Sequence, residues 1–194
     1  MMKTRFDAEY YRRYYENRST AVVTPAERRA EVKFVLAFCA HIGVEIRRFS
    51  DVGAGTGWWA REFARQYPGC RYVETYDSSA DAARVYGHRK ISVEQLGGRP
   101  ADLLVCRDVL RYAPNAVART AIVRLAGKCR GVLYLHVITS EDEVDEAASD
   151  MSGHFRPARW YLKQLSAAGF RNAGMGLFVS ERFDRFDPFA LEVK

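Results

Sequence analysis

The sequence predicts an open α/β fold built on a doubly wound, mostly parallel sheet, on three observations. Strand-like and helix-like stretches alternate from residue 48 onward. One of them, Ala101-Asp-Leu-Leu-Val-Cys-Arg107, is almost continuously apolar, as in a strand buried on both faces. The first strand-like run, Arg48–Val52, leads straight into the glycine-rich turn Asp51-Val-Gly-Ala-Gly-Thr-Gly57, and a helical stretch follows.

The elements follow in order. Phe6, Tyr10 and Tyr14, with Tyr11 and Tyr15, have helical spacing, so residues 6–15 predict a short amphipathic helix. Thr24-Pro25-Ala26-Glu27 is a helix start. Thr24 serves as N-cap, Pro25 sits where a missing N–H costs nothing, and Glu27 completes a capping box. That helix runs to about His41, and Gly43 stops it. Further helices are expected over 58–66, 79–86, 116–125 and 157–168. Strands are expected over 48–52, 71–76, 90–93, 101–107, 132–138, 170–179 and 189–193, which makes a seven-stranded sheet. The last two strands have no helix between them, so they predict a hairpin that adds one antiparallel strand.

The chain has 194 residues and is 48% hydrophobic, enough for one domain with a real core. The expected organisation is a single domain, 1–194, with a helical cap over 1–42 and an α/β core over 45–194. The net charge is +6, but the arginines are scattered, with no run of five like charges, and no nucleic-acid-binding motif appears. That pattern argues against a nucleic-acid partner. Cys39, Cys70, Cys106 and Cys129 are far apart, without a C-x-x-C pair, so no metal site is expected. No apolar stretch reaches membrane length. A cytoplasmic protein with free thiols, away from membranes, as a monomer or homodimer, is the expectation. The one strong charge bias, Ser140-Glu-Asp-Glu-Val-Asp-Glu146 and on to Asp150, reads as a solvated segment that also has the sign to steer a cationic ligand.

The glycine turn carries the first functional signal. Small residues after the first strand let the backbone pass close under a ligand. A dinucleotide fingerprint requires a small residue at the sixth position of G-x-G-x-x-G/A, and here that position is Trp58. The third glycine falls one place early, giving Asp-x-Gly-x-Gly-x-Gly.

This arrangement resembles the first motif of class I S-adenosylmethionine (SAM)-dependent methyltransferases. The resemblance implies a Rossmann-like methyltransferase sheet, with SAM as methyl donor and S-adenosylhomocysteine (SAH) as product. It implies that Gly53, Ala54, Gly55, Gly57 and Trp58 cradle the donor and that Asp51 lies near its charged methionine portion. Asp77, in Tyr76-Asp77-Ser78-Ser79, matches the acidic residue that takes both ribose hydroxyls, with Ser78 beside it. A carboxylate suits a cis-diol because it accepts two hydrogen bonds. The alternative role for Asp77 is N-cap of the next helix. The run Asp102 to Leu110, then Arg111-Tyr112 and Pro114, is similar to the family's fourth-strand motif, which implies that Cys106, Arg107 and Asp108 line the methionine end. Glu94 and Gln95 occupy the adenine-side position. Tyr11 and Tyr15 correspond to a helix that covers the ligand. Leu133–Val137 and Leu165–Phe170 match the fifth strand and the "L-x-x-aGF" ending, so the likeness spans about 45–180. The opening "FD-x-x-YY", Arg156–Tyr161 and Gly174–Phe178 also resemble a group of small bacterial methyltransferase-like proteins.

Methyl transfer is an in-line displacement that needs a base only when the acceptor loses a proton. His136, His154 and Asp108 are the candidate bases, with a satisfied core histidine as the alternative for His136. Tyr112, Arg156 and Trp160 are the candidate acceptor contacts, Arg156 as a clamp for an anionic group or as a surface arginine at a helix entry. No Asn/Asp-Pro-Pro-Tyr follows the fourth strand. A small-molecule acceptor methylated on oxygen or nitrogen is therefore expected. A non-catalytic SAM- or SAH-binding protein, an RNA methyltransferase and a nicotinamide-dependent oxidoreductase are the competing readings.

Overall fold

The computed structural model describes residues 6–12, 24–146 and 149–187. A four-residue helix, α1 (Ala8–Tyr11), precedes α2 (Pro25–His41). Thr24 caps α2 with the full capping box. The helix ends where Val44 N–H reaches back to Cys39 O at 2.8 Å, with Gly43 at φ 77°. That reversal needs left-handed backbone, which glycine adopts without a Cβ penalty.

The core alternates β1 (Arg48–Val52), α3 (Trp58–Gln66), β2 (Tyr72–Asp77), α4 (Ala80–Tyr86) and β3 (Arg89–Lys90). Then come β4 (Ala101–Arg107), α5 (Asn115–Lys128), β5 (Cys129–His136), α6 (Ala158–Ala167), β6 (Phe170–Gly174) and β7 (Leu177–Ser180). The seven strands lie in the order β3-β2-β1-β4-β5-β7-β6. Only β7 runs antiparallel to its neighbours, β5 and β6.

Two expectations about strands change. The third strand stops at Lys90, and Val93–Gln95 form a 3₁₀ turn. The stretch 170–179 is not one strand but the hairpin itself. Gly174, Met175 and Gly176, at φ 81°, 50° and 77°, reverse the chain between β6 and β7. A Cβ at Gly176 would come within 2.7 Å of Leu135 O, so the turn hugs β5 too closely for a side chain. The strand expected over 189–193 lies outside the described residues.

Two cores cover the two sheet faces, and the period-2 rule assigns each strand residue to one of them. Leu104 and Cys106 of β4 join Ile122 and Leu125 of α5 and Leu165 of α6. Leu103 and Val105 face the other way, onto Val32, Val35 and Cys39 of α2 and Trp59 and Phe63 of α3. Phe49 stacks on Phe63 with ring centroids 4.0 Å apart. Truncating such a buried ring to alanine costs about 3–5 kcal/mol.

At the N-terminal strand ends, Asp102 accepts the backbone N–H groups of Arg47 and Arg48 at 2.9 and 2.8 Å. Lys128, fully buried, donates to Glu74 at 2.9 Å and to Arg99 O at 2.8 Å. These charges brace the end of the sheet away from the glycine turn. Among the described residues, no helix is long and apolar enough to cross a membrane.

Candidate active site

The strand order reverses between β1 and β4, and the crevice beyond that switch point is where open α/β sheets bind ligands. The turns after these two strands meet there. Gly53 and Ala54 donate to Tyr76 O at 2.8 and 2.9 Å, which pins the glycine turn to the end of β2. Gly53, Gly55 and Gly57 all have positive φ, at 72°, 55° and 73°. A Cβ on Gly53 would lie 2.1 Å from Val109 Cγ2, so the turn after β4 packs directly onto the glycine turn.

Asp77 is buried at the end of β2. One carboxylate oxygen accepts Gly55 N–H at 2.8 Å and the other accepts Ser79 N–H at 2.8 Å. The cap of α4 is Ser79, whose hydroxyl accepts Ala82 N–H at 3.2 Å. Asp77 therefore braces the glycine turn and leaves capping to its neighbour. His88 braces the same turn from outside, with Nε2 2.9 Å from Gly55 O and Nδ1 2.9 Å from Thr75 Oγ1. A carbonyl only accepts, so Nε2 carries the hydrogen.

Two cavities flank the β4 turn. The smaller, about 300 Å³, is lined by Gly53, Gly55, Asp77, Ser78, Glu94, Val109, Tyr112 and Tyr11. The larger, about 620 Å³, is lined by Trp58, Tyr134, His136, Leu165 and Phe178, and by Asp142, Glu143 and Asp150 of the acidic segment. Tyr10, Arg107 and Asp108 line both.

The electrostatics differ between the two sides. Asp51 is buried, one of its carboxylate oxygens has no partner, and it lines neither cavity. Burial, then the Asp77 carboxylate, push its carboxyl up to about 7. At the end of β5, burial and the nearby Arg107 pull His136 below its ordinary value, and its Nδ1 is buried without a partner. Arg107 pairs with Glu31 at 3.1 Å. Asp108 adopts φ 56°, unusual for a residue with a side chain, and its N–H donates to His136 O at 2.7 Å. Both Asp108 oxygens accept from Arg111, at 2.6 and 3.2 Å.

Of the residues expected at the donor, Gly53, Gly55, Asp77, Ser78, Glu94, Arg107 and Tyr11 line the smaller cavity. Trp58 opens α3 toward the larger cavity instead, with Arg28 5.0 Å over its ring. Gly57 and Ala54 line neither cavity. Gly57 is the left-handed residue before α3, where a Cβ would meet His88 at 3.1 Å. Gln95 is exposed at the end of the 3₁₀ turn and also lines neither. Tyr15 lies outside the described residues.

Among the acceptor-side expectations, His136 and Asp108 line the larger cavity, but Asp108 is already held by Arg111. His154 is exposed and away from both cavities; it is tied by its backbone N–H to Arg111 O at 2.7 Å. Arg156 is no clamp: it is 5% exposed, and Asn115, Leu110 O, Tyr161 OH and Ala113 O take its guanidinium. Trp160 packs against it, 4.9 Å from the guanidinium carbon, and lines neither cavity. Tyr112 faces the smaller cavity, where its hydroxyl meets Tyr10 OH at 2.9 Å.

Sequence reasoning overlooked His88 and Arg111 as site residues. Arg111 shows only one sequence signal, its position three residues after Asp108. Its burial depends on the segment after β5, which is distant in sequence.

The comparisons agree with this geometry. The chain matches the family model "Methyltransferase domain" over residues 24–181. Magnesium protoporphyrin IX methyltransferase from Synechocystis, solved with SAM, shares the fold at TM-score 0.62 and 19% identity, over 88% of this chain and 89% of that one. The sugar N-methyltransferase KedS8 from Streptoalloteichus is similar at TM-score 0.63 and 18% identity, over 85% and 89%. Human N-acetylserotonin methyltransferase aligns at TM-score 0.54 and 16% identity, and the chain spans only 56% of its length. At these identities the likeness is one of fold. No curated protein matches the chain in sequence. With the family model covering most of its length, the chain belongs to the methyltransferase-domain family, the class I enzymes that use S-adenosylmethionine as methyl donor.

Proposed function

We propose that this protein moves a methyl group from SAM to an oxygen or nitrogen of a small-molecule acceptor. The observation that carries this reading is the pair of cavities that adjoin at Tyr10, Arg107 and Asp108, which line both. The donor belongs in the smaller cavity. What supports this is the positive-φ glycine cradle, the Asp77 carboxylate in the lining and the orphaned Asp51 oxygen behind it. A carboxylate has lone pairs left for a diol after two backbone contacts, and an unpaired buried carboxylate suits a cationic ligand group.

SAM supplies a methyl activated on a sulfonium. The chain's own residues then orient the two reactants where the cavities adjoin and exclude water. The acceptor reading rests on the size of the larger cavity, whose lining mixes apolar and aromatic side chains with charged ones, three of them acidic residues of the segment after β5. His136 is the base in this scheme. Depression of its pKa leaves it neutral at pH 7, and its imidazole, in the lining of that cavity, can take the proton that an alcohol or amine gives up as the new bond forms. Methylation of that acceptor releases SAH and leaves one proton on the histidine.

SAH formation against a panel of alcohols, phenols and amines tests the proposal. Turnover with at least one small acceptor, reduced ten-fold or more by His136→Gln, is expected. Turnover only with RNA would overturn it.

A further inference from the structure

We infer that Arg111 is a positioning residue that latches the acceptor side of the site to the donor cavity. It rests on the reading of the smaller cavity as the SAM site. Arg111 is 2% exposed, yet it is not a core side chain in the ordinary sense, because its guanidinium joins the turn after β4 to the segment after β5. Nε and Nη2 hold both oxygens of Asp108, at 2.6 and 3.2 Å. Nη2 also donates to Tyr112 OH at 2.6 Å, and that hydroxyl meets Tyr10 OH of α1 at 2.9 Å. Nη1 donates to Asp150 O in the segment after β5.

The backbone repeats the connection. Arg111 O accepts His154 N–H at 2.7 Å. Gly153 packs flat on the arginine, where a Cβ would come within 3.1 Å of Arg111 Cγ. Two segments thus meet at one guanidinium, the turn after β4 and residues 149–157, and α1 joins them through the Tyr112 hydroxyl.

The placement gives the latch a direction. Tyr112 lines the donor cavity, Tyr10 and Asp108 line both, and Arg111 and Asp150 line the larger one. Asp108 also sits at φ 56°, a conformation held only while its surroundings over-determine it. A ligand filling the smaller cavity restrains Asp108 and Tyr112, and through Arg111 it restrains the segment that walls the acceptor. Donor binding therefore orders the acceptor wall, and by linkage an ordered wall tightens donor binding by the same factor. Arg156 provides the contrast: it holds the same segment, but its contacts are backbone carbonyls, Asn115 and Tyr161 rather than the residues where the cavities adjoin.

The test follows amide hydrogen exchange in residues 149–157 of the full chain, with and without saturating SAH, beside calorimetric SAH titration. In the wild type, SAH is expected to slow exchange there about ten-fold or more, the His154 amide included. Arg111→Lys keeps the charge but loses the fork; the protection conferred by SAH should fall below two-fold while SAH still binds. Tyr112→Phe removes a single hydroxyl and should cut the protection at least three-fold; it decides the matter if Arg111→Lys fails to fold. Arg156→Lys lowers stability but keeps the SAH-dependent difference, a separation that a merely structural arginine at 111 would not produce. Wild-type SAH binding without protection at 149–157, or full protection in Arg111→Lys or Tyr112→Phe, overturns the latch. Absence of SAH binding to the wild type overturns the donor site itself.

Discussion

Asp77→Asn isolates what one carboxylate contributes to the site. The side chain is buried and accepts two backbone N–H groups, from Gly55 and from Ser79, each at 2.8 Å. Asparagine has the same shape but one oxygen, so one N–H must face an NH₂ group. The loss of one charge-assisted bond and the clash of two donors together cost about 2–3 kcal/mol. At about 2–4 °C per kcal/mol for a domain of this size, the ligand-free melting temperature should fall by roughly 4–12 °C. SAH affinity should fall further than stability alone requires, because the carboxylate also faces the cavity. A loss of about 1–3 kcal/mol there corresponds to about 5–150-fold in Kd. Calorimetric titration and thermal unfolding on one preparation measure both. Ser79→Ala is the comparison: it removes the cap of α4 and the 2.6 Å bond from its hydroxyl to Phe6 O, costs about 1–2 kcal/mol of stability, keeps the Asp77 charge and so should weaken SAH binding less than Asp77→Asn does. Asp77→Asn protein that stays folded and binds SAH within three-fold of wild type would refute the assignment.

Other perturbations test separate parts of the reasoning. Gly53→Ala adds a Cβ 2.1 Å from Val109 Cγ2 at φ 72°, so SAH binding should weaken by more than ten-fold in titration. Asp51 has a carboxyl raised from 3.8 to about 7, so the fold loses stability as pH rises through that window. Asp51→Asn should therefore raise the ligand-free melting temperature at pH 8, by up to about 4 kcal/mol in stability, and do little at pH 4, while weakening SAH binding. His136 has a depressed value, so activity should persist to lower pH than an ordinary histidine allows, and the acidic limb should vanish in His136→Gln. Burial opposes ionisation of Glu74, but Lys128, Arg48 and Arg89 hold its carboxyl below the usual range. Its stabilisation is present above the ordinary carboxylate value and lost as pH falls through the depressed one. Lys128→Met should cost about 3 kcal/mol in denaturant unfolding at pH 7.

The fold was legible where local chemistry has one solution. Thr24-Pro25-Ala26-Glu27 satisfies the first helix turn by itself, and the structure starts α2 there. Strands β1 and β4 have the bounds that their sequences suggest, because β4 is apolar on both faces and β1 ends at a glycine turn. Legibility failed at the far edge of the sheet. Phe170 to Val179 reads as one strand by hydrophobicity, but Gly174-Met-Gly176 turns it back on itself. Glycine can pass through a strand or reverse it, and only packing against Leu135 decides which. The last expected strand made the hairpin seem to need residues beyond that point.

The site divides along the same line, for a physical reason. A donor cradle is made of backbone, so it needs glycines at set spacings, and spacing is visible in a sequence. The acceptor wall is made of side chains, and what a side chain does depends on what surrounds it. Arg111 and Arg156 look alike as letters, and Arg156 has the more suggestive neighbours, in Arg-Pro-Ala-Arg-Trp-Tyr. Yet Arg156 spends its guanidinium on carbonyls behind the wall, whereas Arg111 touches Asp108, Tyr112 and Asp150 at the wall itself. Such a difference arises only when three segments distant in sequence converge. On the proposed reading the larger cavity takes the acceptor, so substitution of Asp142 or Glu143, which line it outside residues 149–157, should change which molecule is methylated while leaving the glycine turn and SAH affinity as they are.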